Sequence, residues 1–174
     1  MAEKKKNNIV MIGMPAAGKS TVGVILAKRL GYSFVDVDLV IQKKTGKLLK
    51  EIIAEEGENG FLQIEEEINA GLDVENSIIA PGGSVIYGAR AMKHLQEIGT
   101  VVYLKLTYED LEKRLGNLQD RGVVLKDGMT LRDLYEERRA YYERYADITI
   151  DETGKEFGDV VDELRTYFES LERK

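Results

Sequence analysis

A glycine-rich segment, Gly13 to Thr21, has the order G-x-x-x-x-G-K-S-T and lies between an apolar run and an amphipathic stretch. The run Asn8–Ile12 predicts a strand that leads in, and the residues from Lys19 predict a helix that leads out. Backbone N–H groups in such a turn point inward at a helix N-terminus, where phosphate groups bind. Lys19 offers a positive charge to the β- and γ-phosphates of a nucleotide, and the Ser20 hydroxyl is a ligand for Mg²⁺. The segment therefore predicts a loop that binds ATP through Gly13, Ala16, Ala17, Gly18, Lys19, Ser20 and Thr21.

Two acidic residues, Asp36 and Asp38, end the second predicted strand, Ser33–Val37. The carboxyl ends of parallel strands meet at one crevice, and strand alternation would turn both carboxylates to the same side. Beside a magnesium–triphosphate, we expect Asp36 to hold the metal and Asp38 to accept a proton from an acceptor hydroxyl. Asp38 also precedes Leu39–Ile41, so it could cap a helix, and one residue could serve both as a cap and in catalysis.

Three further features could complete a site. Gly82 and Gly83 follow a third predicted strand, and glycines there allow a close approach of backbone to ligand. Arg121 lies in a polar segment, about residues 116–129, whose length and composition are typical of a lid. Arg138 suits a carboxylate or a phosphate, but its neighbours Glu136, Glu137 and Arg139 also fit a plain charged helix face.

The chain alternates short β-rich runs with longer stretches of helical period, which predicts a three-layer α/β domain with a parallel sheet. Its 174 residues fit one domain, residues 1–174. The predicted strands are Asn8–Ile12, Ser33–Val37, Ser77–Ala80, Thr100–Leu106 and Asp147–Ile150. The predicted helices are Lys19–Leu30, Glu58–Leu72, Arg90–Gln96, Tyr108–Leu115, Leu131–Tyr145 and Phe157–Arg173.

The composition of the chain excludes several classes of binding partner. A net charge of −6 argues against a nucleic-acid surface, and the absence of cysteine excludes disulfides and thiolate metal sites. The longest apolar runs are too short to cross a bilayer. We expect a soluble, cytoplasmic, monomeric protein that binds a small molecule.

With these pieces in order, the chain resembles the shikimate kinase family over nearly its whole length. The resemblance rests on the phosphate loop, the two aspartates, the glycine turn, Arg121 and the stretch from Glu137 to Tyr142. It implies a five-stranded parallel sheet in the order 2-3-1-4-5, helices on both faces and a lid loop. It also implies transfer of the γ-phosphate of ATP to a hydroxyl, as in aromatic amino-acid biosynthesis.

The resemblance implies a role for each candidate residue. Asp36 would hold Mg²⁺ through water, and Asp38 would bind the acceptor hydroxyl as the base. Arg121 would close over the transferring phosphate, and Arg114 would lie near the adenine. The implied substrate contacts are Gly82, Gly83, Arg138 and the acid at Glu65.

This sequence departs from the family at several positions. Leu62 stands where the family has an arginine that helps to hold the substrate carboxylate, so Glu65 lacks the usual partner of that acid. Pro81, Gly122 and Ala140 replace a glycine and two prolines of the family. Loss of one guanidinium contact to a carboxylate is expected to cost about 1.5–3 kcal/mol of binding free energy.

Three hypotheses follow from these departures. The chain is a shikimate kinase that tolerates Leu62, or a related kinase for another hydroxy acid or hydroxy amino acid. The third hypothesis, of another class, is a nucleotide-binding regulator without kinase activity. Intact Lys19, Ser20, Asp36, Asp38 and Arg121 argue against a regulator, because drift would not be expected to spare these residues.

Overall fold

The fold is built on one sheet of five parallel strands. The computed structural model describes residues 6–116 and 125–174. The strand order is β2-β3-β1-β4-β5, which confirms the predicted order. The strands are β1 Asn8–Ile12, β2 Ser33–Asp36, β3 Ser77–Ala80, β4 Gly99–Lys105 and β5 Ile148–Asp151. Every residue of β1 and of β3 is buried, as expected for parallel strands covered on both faces.

Seven helices are assigned within the described residues. They are α1 Lys19–Leu30, α2 Val37–Thr45, α3 Leu49–Ala70, α4 Ala89–Ile98, α5 Tyr108–Leu115, α6 Leu131–Tyr145 and α7 Phe157–Glu172. Helix α1 packs on α7, and α3 packs on α4. A 3₁₀ turn, Val85–Tyr87, connects the glycine turn after β3 to α4. All six predicted helices are present, so the three-layer α/β prediction is confirmed.

The segment between β2 and residue 58 differs from the prediction. It holds α2 and the first part of α3, neither of which was predicted. Helix α2 has nine residues and buries Val37 and Ile41 alone, so its apolar period is too short to recognise. Helix α3 is interrupted at Gly57, where φ is 74° and ψ is 176°. This break hides the helical period of the residues before it.

No helix within residues 6–116 and 125–174 is long and apolar enough to cross a membrane. The carboxyl ends of the five strands point to one edge of the sheet because all strands are parallel. The loops after β1, β2, β3 and β5 lie at that edge and carry most of the candidate residues. The fold therefore gathers residues that are far apart in the sequence.

Candidate active site

The phosphate loop connects β1 to α1, as its flanking sequence predicts. Gly18 is the N-cap of α1 with φ 83°, and a side chain there would collide with the Phe157 ring, 2.5 Å from its Cβ. Ala16 also has a positive φ of 68°, which is uncommon for a residue with a Cβ. The loop lines a cavity of about 280 Å³ together with Asp36, Asp38 and the turn after β3.

The Lys19 side chain folds back over this loop. Its Nζ donates hydrogen bonds to the carbonyl oxygens of Gly13 and Met14, at 2.7 and 2.9 Å. Burial, followed by the nearby positive charge of Arg138, lowers the pKa of Lys19 to about 8. A phosphate in the cavity would stabilise the charged ammonium, because an anion offsets the desolvation cost.

Asp36 and Asp38 both line this cavity, but not in the way that strand alternation predicted. Strand β2 ends at Asp36, whose Oδ1 accepts hydrogen bonds from the backbone N–H groups of Asp38 and Leu39. The N-cap of α2 is therefore Asp36, and the alternative assignment of Asp38 as the cap is wrong. Asp38 lies in the first turn of α2, and burial, followed by the charge of Asp36, raises its pKa.

A second cavity of about 350 Å³ adjoins the first. Asp38, Gly82 and Gly83 line both cavities. The other residues that line the second cavity form two groups. Its apolar wall consists of Leu49, Ile53 and Phe61, and its polar wall consists of Lys50, Glu65, Ser84 and Arg138.

Side chains on the glycine turn would displace the ends of the Glu65 and Arg138 side chains. A Cβ at Gly82 would lie 2.7 Å from Glu65 Oε2, and a Cβ at Gly83 would lie 2.9 Å from Arg138 Nη1. The Tyr142 hydroxyl donates a 2.7 Å hydrogen bond to the Gly83 carbonyl and fixes the turn. These contacts bring the Gly82–Gly83 backbone, Glu65 and Arg138 to the same wall.

Glu65 is 2% exposed, although it belongs to an acidic run. The Ser84 hydroxyl donates a 2.7 Å hydrogen bond to its Oε1, so Glu65 is not wholly without a partner. Its Oε2 is buried and has no hydrogen-bond partner in the described part of the chain. Burial, assisted by the charge of Asp38, raises the pKa of Glu65 to about 7.

Arg138 projects from α6 into the same region. Its guanidinium lies over the Tyr87 ring, 5.7 Å from the centroid. Its Nε is buried without a hydrogen-bond partner, and no ion pair to it occurs among residues 6–116 and 125–174. The neighbouring Arg139 instead pairs with Glu136 at 2.8 Å, so the charged-face interpretation fits Arg139 and not Arg138.

Leu62 is half-buried and does not line either of these cavities. It lines a third cavity of about 120 Å³, with Tyr87, Met129, Leu134 and Arg138 among its other lining residues. Arg138 lines both this third cavity and the one that holds Asp38 and Glu65, whereas Leu62 lines the third cavity alone.

Arg114 lies beside the phosphate loop, at the end of α5. Its Nη1 donates a hydrogen bond to the Ala16 carbonyl at 3.2 Å and is 3.6 Å from Glu152 Oε2. The guanidinium lies over the Phe157 ring, 5.1 Å from its centroid. Burial raises the pKa of Glu152 to about 7. Arg121 and most of the predicted lid lie outside the described residues.

Sequence reasoning missed four residues of this edge: Lys50, Ser84, Glu152 and Phe157. Ser84 and Glu152 follow strand ends, so the rule that parallel strands share one functional edge could have found them. Lys50 lies in the unpredicted part of α3, and nothing in the sequence alone distinguishes it from its neighbouring lysines.

The cavity at the phosphate loop and the adjoining cavity share the Asp38 carboxylate. This arrangement is typical of a P-loop kinase of small molecules. The family model for shikimate kinase matches residues 15–169. The chain belongs to the shikimate kinase family and is an ATP-dependent small-molecule kinase.

Individual relatives agree with this assignment. A shikimate kinase of Bacillus mycoides is 39% identical, over 91% of this chain and 96% of that protein. One from Chlorobium chlorochromatii is 35% identical, over 98% of this chain and 95% of that protein. The structure of Acinetobacter baumannii shikimate kinase in complex with shikimate has a TM-score of 0.87 and 31% identity. It covers 98% of this chain, and this chain covers 97% of it. The other two hypotheses are not favoured by these relatives.

Proposed function

We propose that this chain transfers the γ-phosphate of ATP to a hydroxyl group of shikimate. The observation that carries the proposal is the sharing of Asp38, Gly82 and Gly83 by the two cavities. A hydroxyl in the second cavity can thereby meet a phosphate in the first, next to a carboxylate. The bound shikimate of the Acinetobacter baumannii relative supports this choice of acceptor.

On the donor side, the Lys19 ammonium exchanges its two carbonyl contacts for phosphate oxygens, and Arg114 contacts the base end of the nucleotide. Ser20 and Asp36 offer oxygen ligands at the phosphate cavity, which fits the preference of Mg²⁺ for few protein oxygens. Mg²⁺ would neutralise charge that develops on the phosphates. Arg121 is proposed to close over the transferring phosphate.

On the acceptor side, Asp38 accepts the hydroxyl proton as oxygen attacks phosphorus. Its raised pKa makes it a stronger base than an exposed aspartate. Arg138 pairs with the substrate carboxylate, because a guanidinium without an ion pair in the described chain favours an anion. Gly82, Gly83 and Glu65 contact the bound acid at the same wall.

The proposal includes a cytoplasmic monomer with no nucleic-acid or membrane partner. The net charge of −6 argues against nucleic acid as a partner. The need for ATP supports a cytoplasmic location.

Purified protein with Mg-ATP should release ADP when shikimate is added. A panel of other hydroxy acids and hydroxy amino acids provides the comparison. Turnover of another acceptor alone would contradict the choice of shikimate, and ATP binding without turnover of any acceptor would contradict the kinase mechanism.

Glu65→Gln is expected to remove a pH dependence of shikimate binding. Below pH 7 the Glu65 carboxyl is neutral, and above pH 7 it ionises because its pKa is about 7. A negative charge beside the substrate carboxylate then raises the shikimate KM several-fold, roughly the effect of one like charge in a partly buried site. The glutamine variant stays neutral. Between roughly pH 6 and pH 8, its shikimate KM should therefore change much less than that of the unchanged protein. A parallel rise of KM in both proteins would contradict the role of Glu65, since Lys19 and Asp38 are common to both.

Leu62→Arg is expected to lower the shikimate KM. An arginine from this position can extend past Arg138 and add a second guanidinium contact, worth about tenfold in affinity. Leu62→Met keeps the apolar volume and serves as the control, with no change expected. If both variants have the same shikimate KM as the unchanged protein, a side chain at position 62 does not reach the substrate.

A further inference from the structure

We infer that Lys50 is a second cation for the substrate carboxylate and determines acceptor specificity together with Arg138. This inference rests on the proposed function, and it names a residue outside the motifs of the sequence. Lys50 lies in the first turn of α3 and lines the same cavity as Asp38, Glu65 and Arg138.

A second cation beside Arg138 would offset the charge that an acidic acceptor brings into this cavity. Among the described residues, two carboxyl groups, Asp38 and Glu65, line it with one guanidinium, Arg138, and the Lys19 ammonium lies close enough to interact with both carboxyl groups. An acceptor that brings its own carboxylate adds a further negative charge. Leu62, on the far side of Arg138, supplies no charge. Lys50 is the one lysine that lines this cavity in the part of the chain that the structure describes.

The Lys50 ammonium is available for such a contact. It has no ion pair or hydrogen bond to another side chain within residues 6–116 and 125–174. Lys47, three residues earlier, is instead paired with Glu55. Lys50 also stands beside Leu49 and Ile53, which form the apolar wall with Phe61. Lys50 is itself exposed, so its contact gains strength only where a bound acid and this apolar wall shield the ammonium from water.

The geometry therefore gives the carboxylate two positive partners, which come from different helices. Arg138 contributes from α6, and Lys50 contributes from α3. Because α3 is interrupted at Gly57, the segment with Lys50 and the segment with Phe61 and Glu65 can approach the same ligand from different directions. An acid is thus preferred over a neutral polyol of similar shape.

The test uses Lys50→Ala, Lys50→Arg and the matched control Lys44→Ala, which changes an exposed lysine of α2. In Lys50→Ala we expect the shikimate KM to rise about tenfold, which corresponds to about 1.4 kcal/mol, with kcat and the ATP KM unchanged. Lys50→Arg should restore most of the affinity, and Lys44→Ala should match the unchanged protein.

The methyl ester of shikimate separates a charge contact from a packing effect. Lys50→Ala should leave kcat/KM for this neutral ester within about twofold, since no carboxylate is present to lose its partner. An equal loss for acid and ester, or an unchanged KM for the acid, would overturn the inference. Absence of shikimate turnover by the unchanged protein would refute the proposed function and the inference with it.

Discussion

Asp38→Asn is expected to lower kcat for shikimate phosphorylation about 10³-fold while the affinity for Mg-ATP stays within about twofold. Asparagine is nearly the same size as aspartate, but its amide cannot take the hydroxyl proton. Asp38 lies where the donor and acceptor cavities meet, so the loss falls on the transfer step. Steady-state ADP release gives kcat, and equilibrium nucleotide titration gives the affinity.

The folded state should tolerate this substitution. Burial raises the pKa of Asp38, which means that the fold disfavours its ionised form. Above the ordinary pKa of an aspartate, the neutral amide removes that cost, so Tm at pH 7 should be unchanged or higher. Asp73→Asn, at an exposed position, is the control and should leave both kcat and Tm unchanged. Turnover above a tenth of the original value in Asp38→Asn would show that Asp38 is not the base.

The donor side was largely predictable from the sequence because it is local. The phosphate loop needs one contiguous segment between a strand and a helix, and the structure has β1 and α1 at those positions. The sheet order followed from the family resemblance, and the apolar strands made the alternation clear. Even there, the prediction that strand geometry continues from Asp36 to Asp38 was wrong. Strand β2 ends at Asp36, and helix α2 begins at the next residue, Val37.

The acceptor side was less predictable because its residues meet only in three dimensions. The sequence left Arg138 undecided between an anchor and a charged helix face, and the resemblance to the family favoured the anchor. The burial of its Nε and the lack of an ion pair in the described chain now distinguish it from Arg139. Nothing in the order of residues indicated that Ser84 donates a hydrogen bond to Glu65 across 19 positions, or that Lys50 lines their cavity.

Arg138→Met is expected to raise the shikimate KM about 10²-fold, with the ATP KM within about twofold of its original value. Methionine fills similar space without charge or donors, so the substrate carboxylate loses its main partner beside Gly83. Arg138→Lys should recover a minor part of the affinity, because an ammonium keeps the charge but cannot form two parallel hydrogen bonds. Initial rates over a range of shikimate concentrations at saturating ATP give these values.

Arg139→Met is the matched control, since this arginine is adjacent and paired with Glu136 on the exposed face of α6. An exposed pair of this kind contributes about 0.2–1 kcal/mol to stability and nothing to the acceptor cavity, so KM should not change. Tm should also hold in Arg138→Met, because a guanidinium with a buried, unpartnered Nε is costly to the fold in the absence of a ligand. If Arg138→Met and Arg139→Met had the same KM, the carboxylate would have to bind elsewhere. Arg138 would then be a packing residue over Tyr87.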